Sequence, residues 1–350
     1  MRRLPIYFLI DVSESMVGDQ ILAVEDGMAT IVKAIKQDPN AIETVWVSII
    51  VFAGQAKTLV PLQEVFSFYP PRFPIGGGTS LSKGLGHLMF ELRKNTVKTT
   101  MEMKGDYKPI VFLFTDGTPT DDTTIAIREW KANWQKTANL IAISFGDGSD
   151  FSVLKELTEN ILHFKNSAEE DYKKFFKWVT DSIKTSSVSV ESNPAGFELA
   201  KLDPDTLTKI DLEKVPANQA KVDDNFAVLT AKCQNTKRLY LMKYRKTIQE
   251  SEIKGLNFNT LSYRLVGAFP VDDTYFELSD EQAVASKINS ENLIGAPSCP
   301  CCGNQIGFAM CQCQKIHCIG EEEMSTCPWC GNTGHYGASG GSFDITRSQG

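Results

Sequence analysis

Cysteine is all but missing from the first 298 residues of this 350-residue chain. Cys233 stands alone there, and the remaining eight of nine cysteines crowd between Cys299 and Cys330. That distribution excludes a disulfide framework spread through the fold and points to one metal-binding cluster. Histidine is scarce, four residues in all, and none stands with a carboxylate in an arrangement suited to general-base work. There is no Gly-rich phosphate loop with its lysine and no nucleophile elbow, so catalysis finds no support in the motifs. No stretch approaches the roughly 18 consecutive apolar residues of a membrane span. Positive charge is not in excess either. The 36 Lys and Arg face 43 Asp and Glu, for a net charge of -7 and a pI near 5.3, which argues against nucleic acid and anionic membranes as partners. The opening Met1-Arg2-Arg3 is followed by an apolar run, Leu4 to Ile10, that reaches Asp11 too soon for the core of a secretion signal. No small-residue cleavage site follows, so a first strand in a cytoplasmic protein is expected.

What is present describes a soluble globular chain of two or three domains, with 42% hydrophobic and 23% charged residues. The first half alternates strand and helix patterns. Strands are expected at Leu4–Val12, Thr44–Ala53, Ala56–Leu62, Pro109–Thr115, Leu140–Phe145 and Ile161–Phe164. Helices are expected at Gly18–Lys36, Leu81–Arg93, Asp122–Lys136, Phe151–Leu157 and Glu169 to about Asp181. Pro109–Thr115 is almost purely apolar, as a strand covered on both faces should be. The alternation predicts an α/β fold over residues 1–190, a doubly wound, mostly parallel sheet with helices on both sides. Ser182–Asn193 is polar and Ser-rich and reads as a linker. Residues 191–298 then form linker and a small β-rich segment, with strands at Asn225–Lys232, Arg238–Tyr244, Tyr263–Val266 and Tyr275–Leu278. Residues 299–336 make a cysteine-rich, zinc-ribbon-like module, and residues 337–350 a Gly/Ser-rich flexible tail.

Ligands of open α/β sheets bind beyond the carboxyl ends of the strands. The first strand ends there in Asp11-Val12-Ser13-Glu14-Ser15, whose alternate residues aim three oxygen donors at one centre. Thr79 follows Gly76-Gly77-Gly78, and Asp116 caps the strand Ile110–Thr115. Oxygen donors of this kind suit a hard cation such as Mg²⁺. Asp121 and Asp122 read as charges complementing a helix N-terminus, Asp147, Gly148 and Asp150 as turn residues, and Glu14 as solvent-facing. The three segments together resemble the metal-ion-dependent adhesion site of von Willebrand factor A domains. The resemblance covers about 190 residues. It implies that Ser13, Ser15 and Thr79 coordinate Mg²⁺ (or Mn²⁺ or Ca²⁺) through hydroxyls and that Asp11 and Asp116 act directly or through water. One position is left open for the carboxylate of an acidic protein partner.

In the cysteine cluster, Cys299-Pro300-Cys301-Cys302-Gly303 and Cys327-Pro328-Trp329-Cys330-Gly331 are two Cys-Pro-x-Cys-Gly knuckles. Each tight turn aims two thiolates at one point, and two knuckles supply the four-thiolate shell of a structural Zn²⁺ from Cys299, Cys302, Cys327 and Cys330. Cys301, Cys311, Cys313, His317 and Cys318 offer either a second zinc site or replacements for one pair. A RING cross-brace is excluded by the short loops and the absent His-x-x-Cys order. The order of an A domain and this cysteine module resembles the TerY-like tellurium-resistance proteins of bacteria. That resemblance implies a non-enzymatic, metal-dependent adaptor working with a Ser/Thr kinase and a PP2C-like phosphatase in a tellurite or stress response. With that kinase link, the place of Thr79 in a Gly-rich loop, exposed enough to act as a ligand, makes it a phosphorylation target, with Thr118, Thr120, Thr123 and Thr124 as competitors. The alternatives are a co-chaperone or ubiquitin-type receptor built on an A domain, and a Mg²⁺-dependent hydrolase.

Overall fold

The apolar runs of the first half are buried from end to end. All eight residues of β1 (Leu4–Asp11) and all six of β4 (Ile110–Thr115) are inaccessible to solvent, which places both in the middle of a sheet covered on two faces. The computed structural model describes residues 2–116, 118–145, 151–164, 169–192, 198–204, 207–211, 225–250, 259–280, 286–322, 324–337 and 342–347. The chain divides into two compact units. One comprises Met1–Val12, Asp19–Phe73 and Thr79–Lys221; the other comprises Ser13–Gly18, Pro74–Gly78 and Val222–Gly350.

In the first unit, β1 is followed by α1 (Asp19–Lys36), α2 (Pro39–Thr44), β2 (Val45–Phe52), β3 (Ala56–Glu64), α3 (Leu81–Asn95) and β4. The chain continues through α4 (Thr124–Asn133), β5 (Asn139–Phe145), α5 (Phe151–Leu154), β6 (Ile161–Phe164), α6 (Glu169–Ser192) and β7 (Leu207–Lys209). The sheet order is β3-β2-β1-β4-β5-β6-β7. Its five inner strands run parallel, and β3 and β7 close the edges antiparallel. This is the doubly wound arrangement that the strand–helix alternation predicts. One face packs Phe8 on Phe112 and Phe114 on Phe175, with ring centroids 5.6 and 5.8 Å apart. The other buries Leu85, Leu113 and Trp130. α1 meets α6 where Gly27 faces the Phe176 ring, and a Cβ at Gly27 would lie 2.2 Å from that ring.

Several elements differ from the sequence reading, each for a local reason. α2 was not foreseen, although Asp38 caps it by accepting from the Asn40 and Ala41 amides and Pro39 starts it. The Ser-rich stretch read as a linker from Ser182 is helix to Ser192. Its hydroxyls are satisfied in place: Ser187 donates to the Lys184 carbonyl, Ser186 to the Glu198 carbonyl, and Ser182 accepts from the Ala200 amide. Small polar residues satisfied in this way pack as well as they would link. β7 lies inside the segment read as linker and β-rich, yet it pairs with β6 of the first sheet.

The second unit is built on a six-stranded sheet, β12-β10-β9-β8-β14-β13. Its strands are β8 (Phe226–Lys232), β9 (Leu239–Glu250), β10 (Asn259–Val271), β12 (Leu293–Ile294), β13 (Ile306–Met310) and β14 (Ile316–Ile319). The expected strands at Asn225–Lys232, Arg238–Tyr244 and Tyr263–Val266 overlap β8, the first half of β9 and the middle of β10, the first two starting one residue early. The cysteine-rich segment contributes β13 and β14 to the same sheet, and β14 runs parallel to β8. Tyr275–Leu278, read as a strand, is a helical turn, α7. Tyr275 and Leu278 are both buried, and a three-residue spacing puts two side chains on one face of a helix but on opposite faces of a strand. β15 (Met324–Thr326) and β16 (Thr333–His335) form a hairpin. Within the expected flexible tail, β17 (Asp344–Arg347) pairs antiparallel with β11 (Ser286–Asn289) and buries Ile345. Among the described residues, no helix is long and apolar enough to cross a membrane.

Candidate metal centres

Of the residues read as cation ligands, Asp11, Thr79 and Asp116 belong to the first unit and Ser13 and Ser15 to the second. In the first unit, β1 and β4 are neighbours with Ile10 opposite Phe114, so the next residues on each strand, Asp11 and Thr115, leave the sheet side by side. The Thr115 hydroxyl donates to Asp11 Oδ2 at 2.7 Å. Asp11 and Asp116 are both buried. Thr79 joins this rim through the loop after β4: its amide donates to Thr120 Oγ1 at 3.1 Å, and its carbonyl accepts from the Thr120 amide at 2.9 Å. The backbone of Thr79 is therefore fixed while its own hydroxyl is left over. Thr79 is 1% exposed, and its Oγ1 has no hydrogen-bond partner among the described residues. A buried hydroxyl without a partner costs about 1–3 kcal/mol, which a bound cation offsets. This donor set therefore fits a hard cation. The same burial overturns the exposure on which Thr79 was read as a phosphorylation target, since a kinase cannot engage a hydroxyl enclosed in this way. Asp121 does complement a helix N-terminus, that of α3 rather than of the helix that follows it: it accepts from Ser80 Oγ at 2.5 Å, from the Ser82 amide at 3.1 Å and from Ser82 Oγ. Asp122 does cap forward, accepting from the Thr124 amide at 2.9 Å. Asp147, Gly148 and Asp150 lie outside the described residues.

In the second unit, Ser13 precedes and Ser15 lies within a short 3-10 turn, Glu14–Met16; both serines are fully buried, with their hydroxyl oxygens 3.0 Å apart. Ser13 forms a β-bridge with Gly76 of the Gly-rich loop. Glu14, expected to face solvent, is 0% exposed and accepts from the Tyr275 hydroxyl. Burial and the Glu14 carboxylate push the Tyr275 phenol far above its ordinary value, so it stays protonated and keeps donating.

The cysteines form two sites, and neither is the single shell that the knuckle spacing predicts. Cys299 and Cys302 gather with Cys233 and Cys318; Cys327 and Cys330 gather with Cys311 and Cys313. Within each group the four sulfurs all lie within 4.8 Å of one another. Zn–S bonds of about 2.3 Å in a regular tetrahedron hold the sulfurs about 3.8 Å apart. The structure has Cys302–Cys318 at 3.8, Cys233–Cys318 at 3.9, Cys313–Cys327 at 3.8 and Cys311–Cys330 at 3.7 Å. A disulfide needs about 2.0 Å. These separations are tetrahedron edges, and both groups fit a zinc ion.

The local turns explain the aim of each pair. In the knuckles, the Gly303 amide donates to the Cys299 carbonyl and the Gly331 amide to the Cys327 carbonyl, each at 2.9 Å. The two glycines have φ of 80° and 78°, where a side chain is strained. The partner turns repeat the pattern without glycine. Gln314 (φ 61°) donates to the Cys311 carbonyl at 2.8 Å, and Lys237 (φ 61°) to the Cys233 carbonyl at 3.1 Å. Burial opposes ionisation at Cys233, Cys299, Cys311, Cys313, Cys318 and Cys327, but hydrogen bonds from Thr236 bring Cys233 down to about 7, while Cys318 is pushed up to about 11. In the other group Cys311 falls to about 6 and Cys313 rises to about 12. Four crowded sulfurs cannot all ionise without a cation among them.

Cys301 and His317 belong to neither group. Cys301 Sγ lies 3.8 Å from the Leu239 carbonyl, and buried His317 donates from Nδ1 to the Cys318 carbonyl at 2.9 Å. Of the other histidines, His87 bonds Thr58 Oγ1 at 2.7 Å, His163 is buried against the Phe151 ring, and His335 lies on β16. Sequence reasoning missed Cys233 as a ligand, for lack of any cysteine within reach along the chain. The turn chemistry shared with the knuckles was its one signal.

Two family models match the chain: von Willebrand factor type A domain over residues 6–178, and TerY-C metal binding domain over residues 223–350. No curated protein matches it. Solved structures that resemble it include proximal thread matrix protein 1 from the mussel byssus with a zinc-occupied MIDAS motif. That likeness has 19% identity over 53% of this chain and 46% of that one, at a TM-score of 0.38. A von Willebrand factor type A protein from Catenulispora acidiphila shares 12% identity over 52% and 43%, with a TM-score of 0.38. The ArnB paralog VWA2 from Sulfolobus acidocaldarius shares 11% over 78% and 66%, with a TM-score of 0.39. This chain spans less than half the length of the first two.

Proposed function

Because the chain carries a von Willebrand factor type A domain followed by a TerY-C metal binding domain, the TerY-like architecture, we propose that it is a non-enzymatic adaptor that captures an acidic protein partner through a divalent cation. Asp11, Ser13, Ser15, Thr79 and Asp116 hold Mg²⁺, Mn²⁺ or Ca²⁺, and a partner carboxylate completes the shell. The observation that carries this reading is the buried hydroxyl of Thr79, without a hydrogen-bond partner among the described residues, on the rim it shares with Asp11 and Asp116. Oxygen is the only donor type in this set, as hard cations require. The two thiol groups hold Zn²⁺ and serve the fold, since four-thiolate sites leave no open position for chemistry. In a TerY-type system the partners are a Ser/Thr kinase and a PP2C-like phosphatase acting in a tellurite or stress response.

The test is a pull-down from the native host with the parent, Asp11→Ala and Asp116→Ala, before and after chelation and with Mg²⁺ restored. The parent should capture a protein only when Mg²⁺ is present, and both variants should lose it. Capture by Asp116→Ala at the parental level, or capture indifferent to Mg²⁺, refutes the reading.

A further inference from the structure

The two loops that carry Ser13, Ser15 and the glycines before Thr79 are held by side chains contributed from far along the chain, all within the second unit. Lys243 of β9 is 5% exposed and donates from Nζ to the Ser15 carbonyl and, at 3.2 Å, to the Val17 carbonyl, with its ammonium 4.4 Å from the Phe226 ring centroid. Tyr275 of α7 donates to Glu14, the residue between the two serines. In the Gly-rich loop, the Gly77 amide donates to Ser279 Oγ at 2.8 Å, and its carbonyl accepts from the Asp280 amide at 3.2 Å. A Cβ at Gly77 would stand 3.0 Å from Ser279 Oγ and 3.1 Å from the Tyr275 hydroxyl, so this fit depends on glycine.

We propose that Lys243 and Tyr275 are positioning residues for Ser13 and Ser15, so that the β-sheet of the second unit sets how tightly these two serines hold a cation. Fixing the Ser15 carbonyl fixes the peptide plane after Ser15, and with it the direction of the Ser15 hydroxyl. Fixing Glu14 does the same for the residue that spaces Ser13 from Ser15. A buried ammonium is costly to desolvate, and its hydrogen bonds to two loop carbonyls offset part of that cost. Groups that orient metal ligands from behind change metal affinity by about 10–100-fold when removed. The inference rests on the cation site proposed above.

The experiment is a Mn²⁺ titration of the full-length, zinc-loaded protein, following free Mn²⁺ by electron paramagnetic resonance. Zinc content and the thermal transition are measured on the same samples. Lys243→Met and Tyr275→Phe should each weaken Mn²⁺ by about tenfold or more while both zinc ions stay bound. Lys243→Arg, which keeps the donor and the charge, should recover most of the loss; a merely structural role would show in the zinc content and melting instead. If Lys243→Met does not retain its zinc, Tyr275→Phe, which removes a single hydroxyl, decides the matter. Asp116→Ala separates the two ideas. If the parent binds no Mn²⁺, or Asp116→Ala binds it equally well, the cation site falls and this inference with it. If Asp116→Ala loses Mn²⁺ while Lys243→Met and Tyr275→Phe keep parental affinity, the positioning role alone is overturned.

Discussion

Replacing Cys233 with serine is the sharpest test of how the thiols are grouped. Cys233 lies 3.9 Å from Cys318 and shares its site with Cys299 and Cys302. In zinc-finger peptides at neutral pH a structural zinc is held by about 10–16 kcal/mol, or about 3–4 kcal/mol per thiolate when divided evenly among four. At about 1.4 kcal/mol per decade, Cys233→Ser should weaken one zinc by about 10²–10³-fold. The other zinc, held by a separate set of four sulfurs, should keep its affinity. The assay is stepwise release to a chromophoric chelator of graded strength, with elemental analysis of the parent to establish two zinc ions per chain. Cys301→Ser, outside both groups, serves as the control and should release zinc as the parent does. The reasoning is refuted if the parent holds one zinc, or if Cys233→Ser keeps two at parental affinity. In that event the single shell of Cys299, Cys302, Cys327 and Cys330 returns, and Cys318→Ser should then be harmless.

Two further outcomes follow from the first unit. Gly27→Ala drives a methyl group into the Phe176 ring at 2.2 Å and should cost about 1–3 kcal/mol of stability by overpacking, read from chemical denaturation; a neutral result would show that α1 and α6 can separate freely. Burial lowers the His87 pKa from its ordinary 6.5, so between that value and the lower folded one the unfolded chain binds more protons. Stability is therefore full above pH 6.5 and is lost as pH falls through the folded value. His87→Gln should show a flatter fall in denaturation midpoint between neutral and mildly acid pH, and an unchanged slope would remove His87 from the account.

The sheet of the first unit was legible because its information is local. A six-residue run such as Ile110–Thr115 is buried on both faces wherever it goes, and 3.6-residue periodicity marks α1 without knowledge of its neighbours. The cation motif was legible for a related reason. Asp11, Thr79 and Asp116 each sit at a strand or loop end whose position follows from the βαβ order alone. The knuckles, too, were correctly seen as pairs, because two cysteines three apart around a tight turn need only their own backbone.

What pairs with what was decided elsewhere. β8 runs parallel to β14 with Ile316 opposite Ala231 and His317 opposite Lys232, and continuing that register by one residue sets Cys318 beside Cys233. No spacing in the sequence contains that register, since 85 residues separate the two and five described strands, β9 to β13, lie between them in chain order. Glu14 and Lys243 were hidden for the same reason: a charged residue reads as solvent-facing until a distant phenol or carbonyl reaches it. Short-range chemistry therefore set the elements and the ligand types of this protein. The division of eight thiols between two groups, and the bracing of the serine loop by β9 and α7, exist only once strands distant in sequence have found their register, because a four-ligand shell and a buried ammonium both need partners that the local chain cannot supply.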